Sequence, residues 1–385
     1  MIVRRFAAAL PLVVALVAGG GRTRAAAAED GPAPAVVQGA IDQGVAWLGQ
    51  RFAEGFPDET FHGPVELVVL TLSHAGANLK DPVFAKGTAI LEKLEPRFTY
   101  RTALQAMALA EVNPRRYQAK IAHCAQWLVD MQLAGGEWGY PGPPDGSYLR
   151  MDGVTVAPPP RPEGAGPADA PVERWPVERR LPLEKHGSAK GDFSNTQFAI
   201  LGLRACRDAG VDVPKATWKA AFDYLKAFQR KDGGWGYVMG GQQDEASYAS
   251  LTCAGLCSVA ICQAALGVKD VKADPIVKKA LGWLRKNLDL ERNVGVDLSS
   301  MIGPRAWQYY HLYSVERAAR VLGLADLEGR AGYPKGAAWI VSKQQADGSW
   351  LDEAGPGAQP PYFQTADTCF ALLFLTRATR PLTGK

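Results

Sequence analysis

The chain is poor in the motifs on which most enzyme chemistry is built. It contains no Gly-x-Ser-x-Gly elbow, phosphate loop, His-Glu-x-x-His helix or Gly-Cys-Gly-Glu-Gln thioester run, so it carries none of the hydrolase, nucleotide, metalloprotease or thioester signatures. No Cys-x-x-Cys pair argues for zinc. No Asp-rich metal motif is present, and no cofactor is expected. No basic run follows the N-terminal segment, and nucleic acid, whose binding needs clustered Lys and Arg, is not an expected partner. The apolar run Phe6–Ala18 falls short of the roughly 20 residues of a bilayer span.

What is present points to a large core behind a leader. At 385 residues, 47% hydrophobic and 21% charged, the chain suits one big repeat domain or two ordinary ones. Arg4 and Arg5, the apolar run, and Ala26-Ala27-Ala28 before Glu29 read as a signal peptide over residues 1–28. The expected location is periplasmic or secreted. If the leader is retained as an anchor, it brings the protein to a membrane surface. Its removal lowers Lys+Arg from 43 to 39 against 39 Asp+Glu, so the mature protein is close to neutral.

The six cysteines, Cys124, Cys206, Cys253, Cys257, Cys262 and Cys369, all fall in apolar helical stretches without paired loop spacing. Buried free thiols acting as small hydrophobes are expected.

A phrase recurs with drift. Gln229, Asp232, Gly233 and Trp235 return as Gln344, Asp347, Gly348 and Trp350, and more loosely as Gln132, Gly136 and Trp138. A repeated phrase means a repeated unit. Each copy closes an amphipathic stretch and precedes one that is apolar nearly all round, such as Ser247–Ala265. The unit is therefore two helices joined by a Gly-containing turn. Outer helices are expected near 38–50, 83–93, 117–131, 215–229, 275–287 and 334–345, with wet outer faces. Inner partners are expected near 64–75, 99–111, 194–208, 246–266, 306–322 and 365–378. Six such hairpins bury their apolar faces by closing into an all-α (α/α)6 toroid spanning 29–380; an open solenoid is the alternative. A Pro/Gly-rich insert at 141–191 breaks the rhythm. A mobile flap over one ring face is the reading favoured by its length.

These phrases and hairpins, from about residue 38 to 380, resemble the prenyltransferase and squalene-oxidase repeat of squalene-hopene cyclases. The resemblance implies the toroid and an isoprenoid or other long apolar small molecule in its centre. Such cyclases begin with an Asp-x-Asp-Asp-Thr motif whose middle aspartate protonates an alkene. Here it is matched by Asp192-Phe193-Ser194-Asn195-Thr196, and the serine hydroxyl at the middle position cannot play that part. Thr365-Ala366-Asp367-Thr368 keeps the last aspartate. Protein prenyltransferase subunits share the ring and hold zinc through Asp, Cys and His; Asp367 and Cys369 offer two ligands, and the histidine would come from His62, His74, His123, His186 or His311.

Candidate site residues follow from the ring. Inner helices running one way gather their N-termini at one mouth, where free N–H groups favour an anion. Asp192, Ser194, Asn195, Asp244, Glu245 and Asp367 are placed there; they equally suit N-caps and first-turn acids. Tyr309, Tyr313 and Glu316 share one face of the fifth inner helix, which Arg320 extends. They suit a cavity lining with Glu316 as acid or base, or a buried tyrosine ladder with Glu316 and Arg320 paired one turn apart. Asp192, Glu316 and Asp367 are the candidate catalytic groups. The functional expectation is an exported terpenoid cyclase or transferase, with a non-catalytic ligand-binding or protein-assembly module and a polysaccharide lyase-like toroid as alternatives.

Overall fold

A computed structural model describes residues 31–56, 64–78, 80–139, 155–164, 170–181, 191–239, 242–243, 246–296, 307–327, 332–352 and 361–382. The leader at 1–28 lies outside the described residues. No helix among them is long and apolar enough to cross a membrane.

Twelve helices are found among the described residues: α1 (Pro34–Arg51), α2 (Pro64–His74), α3 (Pro82–Lys93), α4 (Thr99–Val112), α5 (Gln118–Asp130), α6 (Phe193–Asp208), α7 (Lys215–Ala227), α8 (Ala249–Ala265), α9 (Pro275–Asn287), α10 (Gln308–Val321), α11 (Tyr333–Ser342) and α12 (Pro361–Leu375). The even-numbered helices form the inner layer. Each packs on the next, α2 on α4, then α6, α8, α10 and α12, and α12 packs back on α2. That last contact makes the structure a closed toroid, not an open solenoid.

Side-chain size explains how closely the inner helices approach. A Cβ on Gly202 of α6 would stand 2.7 Å from the Cα of Ala103 in α4, so glycine permits that crossing. In α8, every residue from Ala249 to Gln263 is buried. All six cysteines are buried and unpaired.

The repeated phrase ties each outer helix to the next. Trp138, Trp235 and Trp350 are fully buried. Each donates its indole N–H back to its own outer helix, at Leu128 O (2.7 Å), Leu225 O (3.0 Å) and Ile340 O (2.8 Å). The glutamines reach forward: Gln132, Gln229 and Gln344 donate to Thr217 O, Ile276 O and Ala40 O of the following outer helices α7, α9 and α1. Gly136, Gly233 and Gly348 have φ of 95°, 98° and 91°. A Cβ there would meet the carbonyl oxygens of Ala220, Lys279 and Gln43 at 2.1, 2.5 and 2.7 Å. Glycine is needed both for the left-handed turn and for the approach. The last phrase closes onto α1, so α1 packs on α11 and α12.

Two expectations change. The inner helix α8 starts at Ala249, not 246, and α12 starts at Pro361, not 365. The described parts of the insert do not form a flap over a ring face; they strap the outward side of α5. Gln118 exchanges two bonds of 2.7 Å with the backbone of Val172. His123 bonds Val156 O at 2.6 Å, and Asp130 accepts from the backbone N–H groups of Arg180 and Leu181. Trp175–Pro176 pairs in parallel with Val211–Asp212. As a result α5 has no wet face: Ile121 to Asp130 are all buried.

Candidate functional site

The inner helices run in one direction, and their N-termini form one pole. Asp192 caps α6 there. Its carboxylate accepts from Asn195 N (2.8 Å), Asn195 Nδ2 (2.6 Å), Ser194 Oγ (2.7 Å) and Tyr237 Oη (3.3 Å). Burial raises its pKa while these donors pull it down. Asp192, Ser194 and Asn195 are therefore engaged with one another as a helix cap. Asp244 and Glu245 lie outside the described residues. Glu66 and Arg101, absent from the sequence expectations, meet at the same pole at 2.8 Å. Burial pushes the Glu66 carboxyl up, against its arginine.

Asp367 is differently placed. It is 4% exposed, and burial, reinforced by the Asp352 carboxylate, pushes its pKa up to about 8. It is a neutral acid at pH 7. Its Oδ2 accepts from Asp352 N at 2.9 Å, and the Asp352 carboxylate in turn accepts the first N–H of α10, Gln308 N, at 3.0 Å. Phe363, Asp367 and Phe370 lie four and three residues apart, hence on one face of α12. Phe363 meets Trp307 at 5.6 Å, and Phe370 meets Tyr310 at 5.5 Å and Tyr313 at 5.7 Å. Trp307 has φ of 75°, a strained backbone for a bulky residue. Asp367 thus belongs to an aromatic seam between α10 and α12. The spacing of Phe363, Asp367 and Phe370 is the sequence signal for it.

The expectation that Tyr309, Tyr313 and Glu316 share one cavity face is corrected. Tyr309 packs against Trp339 of the outer helix α11 at 5.7 Å. Glu316 accepts from Thr379 Oγ1 at 2.7 Å in the C-terminal segment, with Arg320 at 3.9 Å. Burial pushes Glu316 up to about 7. Only Tyr313 turns to the ring interior. It does so with Tyr310, Ser314 and Arg317, and this face of α10 meets Gln197 and Phe198 of α6. Arg317 is 1% exposed. Its Nη2 donates to Gln197 Oε1 (3.2 Å) and Ser314 Oγ (3.0 Å). The rings of Tyr313, Tyr310 and Phe198 cover its charge at 4.5, 5.6 and 5.7 Å. Gln197 also bonds Tyr310 Oη. His311 Nε2–H donates to Asp289 O at 2.8 Å; burial lowers its pKa to about 4, which makes it a neutral core histidine.

A small cavity of about 20 Å³ touches Glu316 and Arg320, and two larger cavities lie among the described residues. One, of about 120 Å³, lies at the C-terminal pole of the inner ring and is lined by residues including Leu70, Met107, Leu201, Arg204, Arg317 and Arg380. The C-terminal residues run across it: Arg204 Nη2 donates to Arg380 O (2.6 Å) and Pro381 O (2.9 Å), and Arg380 grips Glu111 at 2.8 Å through both carboxylate oxygens. The second, of about 360 Å³, lies beside the loosest copy of the repeated phrase, between Gly135, Glu137, Asp223, Tyr224 and Phe228. Asp232 and Asp347 accept the indole N–H of Trp283 and Trp47 on the following outer helices, each at 3.1 Å. The equivalent positions here are Gly135 and Tyr224, and the Tyr224 hydroxyl has no hydrogen-bond partner among the described residues. Among the described residues no three His, Cys, Asp or Glu side chains gather to hold a metal.

The chain matches no family model and no curated protein sequence. Solved structures do match. A variant of the type II terpene cyclase MstE from Scytonema, in complex with its substrate geranylgeranyl dihydroxybenzoate, aligns at TM-score 0.52 and 13% identity over 89% of this chain and 97% of that one. The apo form of the same cyclase aligns at TM-score 0.48 and 15% identity, over 89% and 97%. The first neighbour is matched along nearly its whole length, so one toroid accounts for all of it. This chain has the α/α toroid fold of the type II terpene cyclases.

Proposed function

We propose that this toroid binds an isoprenoid or comparably long apolar molecule at the N-terminal pole of its inner ring, and that Asp367 is its acid. The observation that carries this reading is a neutral, buried carboxyl group set between two aromatic pairs. A carboxyl protonated at pH 7 can donate its proton to an alkene, and adjacent ring faces stabilise the cation that forms. Asp192 suits that part less, because its oxygens are already engaged by Ser194, Asn195 and Tyr237. Thr196 and Thr368 each accept a tryptophan backbone N–H at 3.0 Å. By that register Asp367 occupies on α12 the place that Asn195 holds on α6. The solved neighbour carries a geranylgeranyl-tailed substrate, the ligand class that this reading assigns here.

The test is incubation of the mature protein with polyprenyl substrates and membrane-lipid extracts, followed by mass spectrometry of bound and converted species. Wild type is expected to bind and convert; Asp367→Asn is expected to bind and not convert, while Asp192→Asn keeps conversion in proportion to its folded fraction. Absence of any bound or converted isoprenoid would sink the proposal. The leader assigns the protein to the periplasm or the medium, which N-terminal sequencing of the exported form checks by a start at Glu29.

One observation favours a second reading, a binding module without chemistry. The Arg317 guanidinium already occupies three ring faces of the interior, which a reacting cation would otherwise use. Binding without conversion by the wild type would select that reading.

A further inference from the structure

Asp352 and Asp367 occupy two linked positions of the repeat. In two repeats the residue two places after the phrase tryptophan reaches the N-terminus of the preceding inner helix: Tyr237 donates to Asp192 at the start of α6 (3.3 Å), and Asp352 accepts from Gln308 N at the start of α10 (3.0 Å). Thr252 and Thr368 accept the backbone N–H of Trp235 and Trp350, at 3.2 and 3.0 Å. The residue just before each threonine is Leu251 on α8 and Asp367 on α12. By this register the last repeat sets two carboxyl groups where the α7–α8 repeat has a tyrosine and a leucine.

Asp352 makes two bonds of opposite sense. Trp307 gives α10 no side-chain cap, so the free N–H of Gln308 is satisfied from another loop by the Asp352 carboxylate, and a helix N-terminus favours that group as an anion. The backbone N–H of the same residue binds Asp367 Oδ2 at 2.9 Å. In a neutral carboxyl group the oxygen that accepts is the carbonyl oxygen, which leaves the proton to Oδ1. Two adjacent carboxyl groups do not readily ionise together. The helices packed on α12 are α1, α2, α10 and α11, and their ionisable groups are held or turned away: Glu66 of α2 is held by Arg101, Tyr310 and Arg317 of α10 by Gln197, and Arg51 and Lys343 at the ends of α1 and α11 are exposed. The charge that acts on Asp367 is that of Asp352.

We infer that Asp352 is the positioning residue of Asp367, fixing Oδ2 with its backbone N–H and, through the charge it keeps at the start of α10, holding the proton on Oδ1. This role rests on Asp367 being the acid of the toroid. It adds to that reading a means of control, since the protonation of a group on α12 is set from the N-terminus of α10.

The experiment is a carbon-13 NMR titration of the mature protein labelled in its aspartate carboxyl groups, with Asp367→Asn assigning the Asp367 signal. The wild-type midpoint is expected at about 8. Asp352→Asn keeps the backbone N–H and an oxygen for Gln308 N and removes only the charge, so it is expected to lower that midpoint by at least about one pH unit, the scale of one adjacent charge. Asp352→Ser, which also keeps a capping oxygen, is expected to do the same and serves if the first variant folds poorly. An unmoved midpoint in a folded variant overturns the proposal, as does a wild-type midpoint in the ordinary aspartate range. With a polyprenyl substrate, Asp352→Asn is expected to move the alkaline limb of the pH–rate profile down by the same amount. An equal loss at every pH would mark a merely structural role and overturn the assignment. A midpoint that moves in a protein that converts nothing would sink the acid reading and uphold the hold of Asp352 on the proton.

Discussion

Asp347 accepts the indole N–H of Trp47 at 3.1 Å across 300 residues of sequence. With Gln344 on Ala40 O and Gly348 against Gln43, it fastens the last helical pair to the first. The same bond inside the ring joins Asp232 to Trp283. Closure therefore uses no special device; it repeats the internal junction.

Asp347→Ala is expected to cost about 1–2 kcal/mol, the net worth of a charge-assisted bond with its orphaned partner. Asp232→Ala is expected to cost a similar amount. Urea unfolding reads both as a lower midpoint at unchanged slope. A far larger loss at Asp347 alone would mean that closure is special after all.

Gly135 stands where the other phrases have aspartate, and among the described residues Tyr224 Oη has no hydrogen-bond partner. Gly135→Asp is expected to stabilise the protein by about 1 kcal/mol. The nearest obstacle to the new Cβ is the flexible end of Glu137, 2.3 Å away. Tyr224→Phe is expected to be neutral alone and to cancel the gain, which a double-mutant cycle measures.

Burial raises Glu316 from 4.5 to about 7 and Asp367 from 3.8 to about 8. The unfolded chain loses these two protons first, so stability falls as pH rises from about 4 until each folded group ionises, near 7 for Glu316 and near 8 for Asp367. Below pH 4 both states hold the protons and stability no longer varies through these groups. Asp367→Asn and Glu316→Gln are each expected to flatten that decline, Asp367→Asn over the wider range. Thermal midpoints between pH 4 and pH 9 check it, and a wild-type profile flat over that span would contradict both assignments.

Asp130 is fully buried and accepts two backbone N–H groups of the strap over α5, at 2.6 Å from Arg180 and 3.2 Å from Leu181. Asp130→Ala is expected to cost about 2–3 kcal/mol through the two donors it orphans. Faster hydrogen exchange confined to the amides of Arg180 and Leu181 would mark local release of the strap. Unchanged exchange there would show that other contacts hold it.

Much of the fold is legible because two sequence periodicities carry it. Apolar stripes mark outer helices such as α9, where Val277, Ala280, Trp283 and Leu284 are buried; apolar-all-round stretches mark inner ones such as α8. The exception is α5, whose polar residues Gln118, Gln126 and Asp130 look solvated in sequence. They are buried under residues 170–181. Nothing local in α5 specifies that cover, because the strap arrives from up to 54 residues away.

The site is less legible for the same reason. Asp192 reads correctly as a cap because its partners are its own neighbours in sequence. Glu316 reads only in part: its pairing with Arg320 one turn on is there at 3.9 Å, but Thr379 is 63 residues on, and a shared helical face does not say which layer that face meets. Arg317 passes unnoticed because Gln197 and Phe198, which it meets, lie on another helix about 120 residues earlier.

The sequence by itself determined the helical pairs, their turns and the chemistry available at each inner-helix end, since these depend on residues within a few turns of one another. The tertiary structure decided which ends of the ring hold which charges. Burial depends on the whole molecule, and burial raises the Asp367 carboxyl beside an aromatic seam and encloses the Arg317 guanidinium among three aromatic rings.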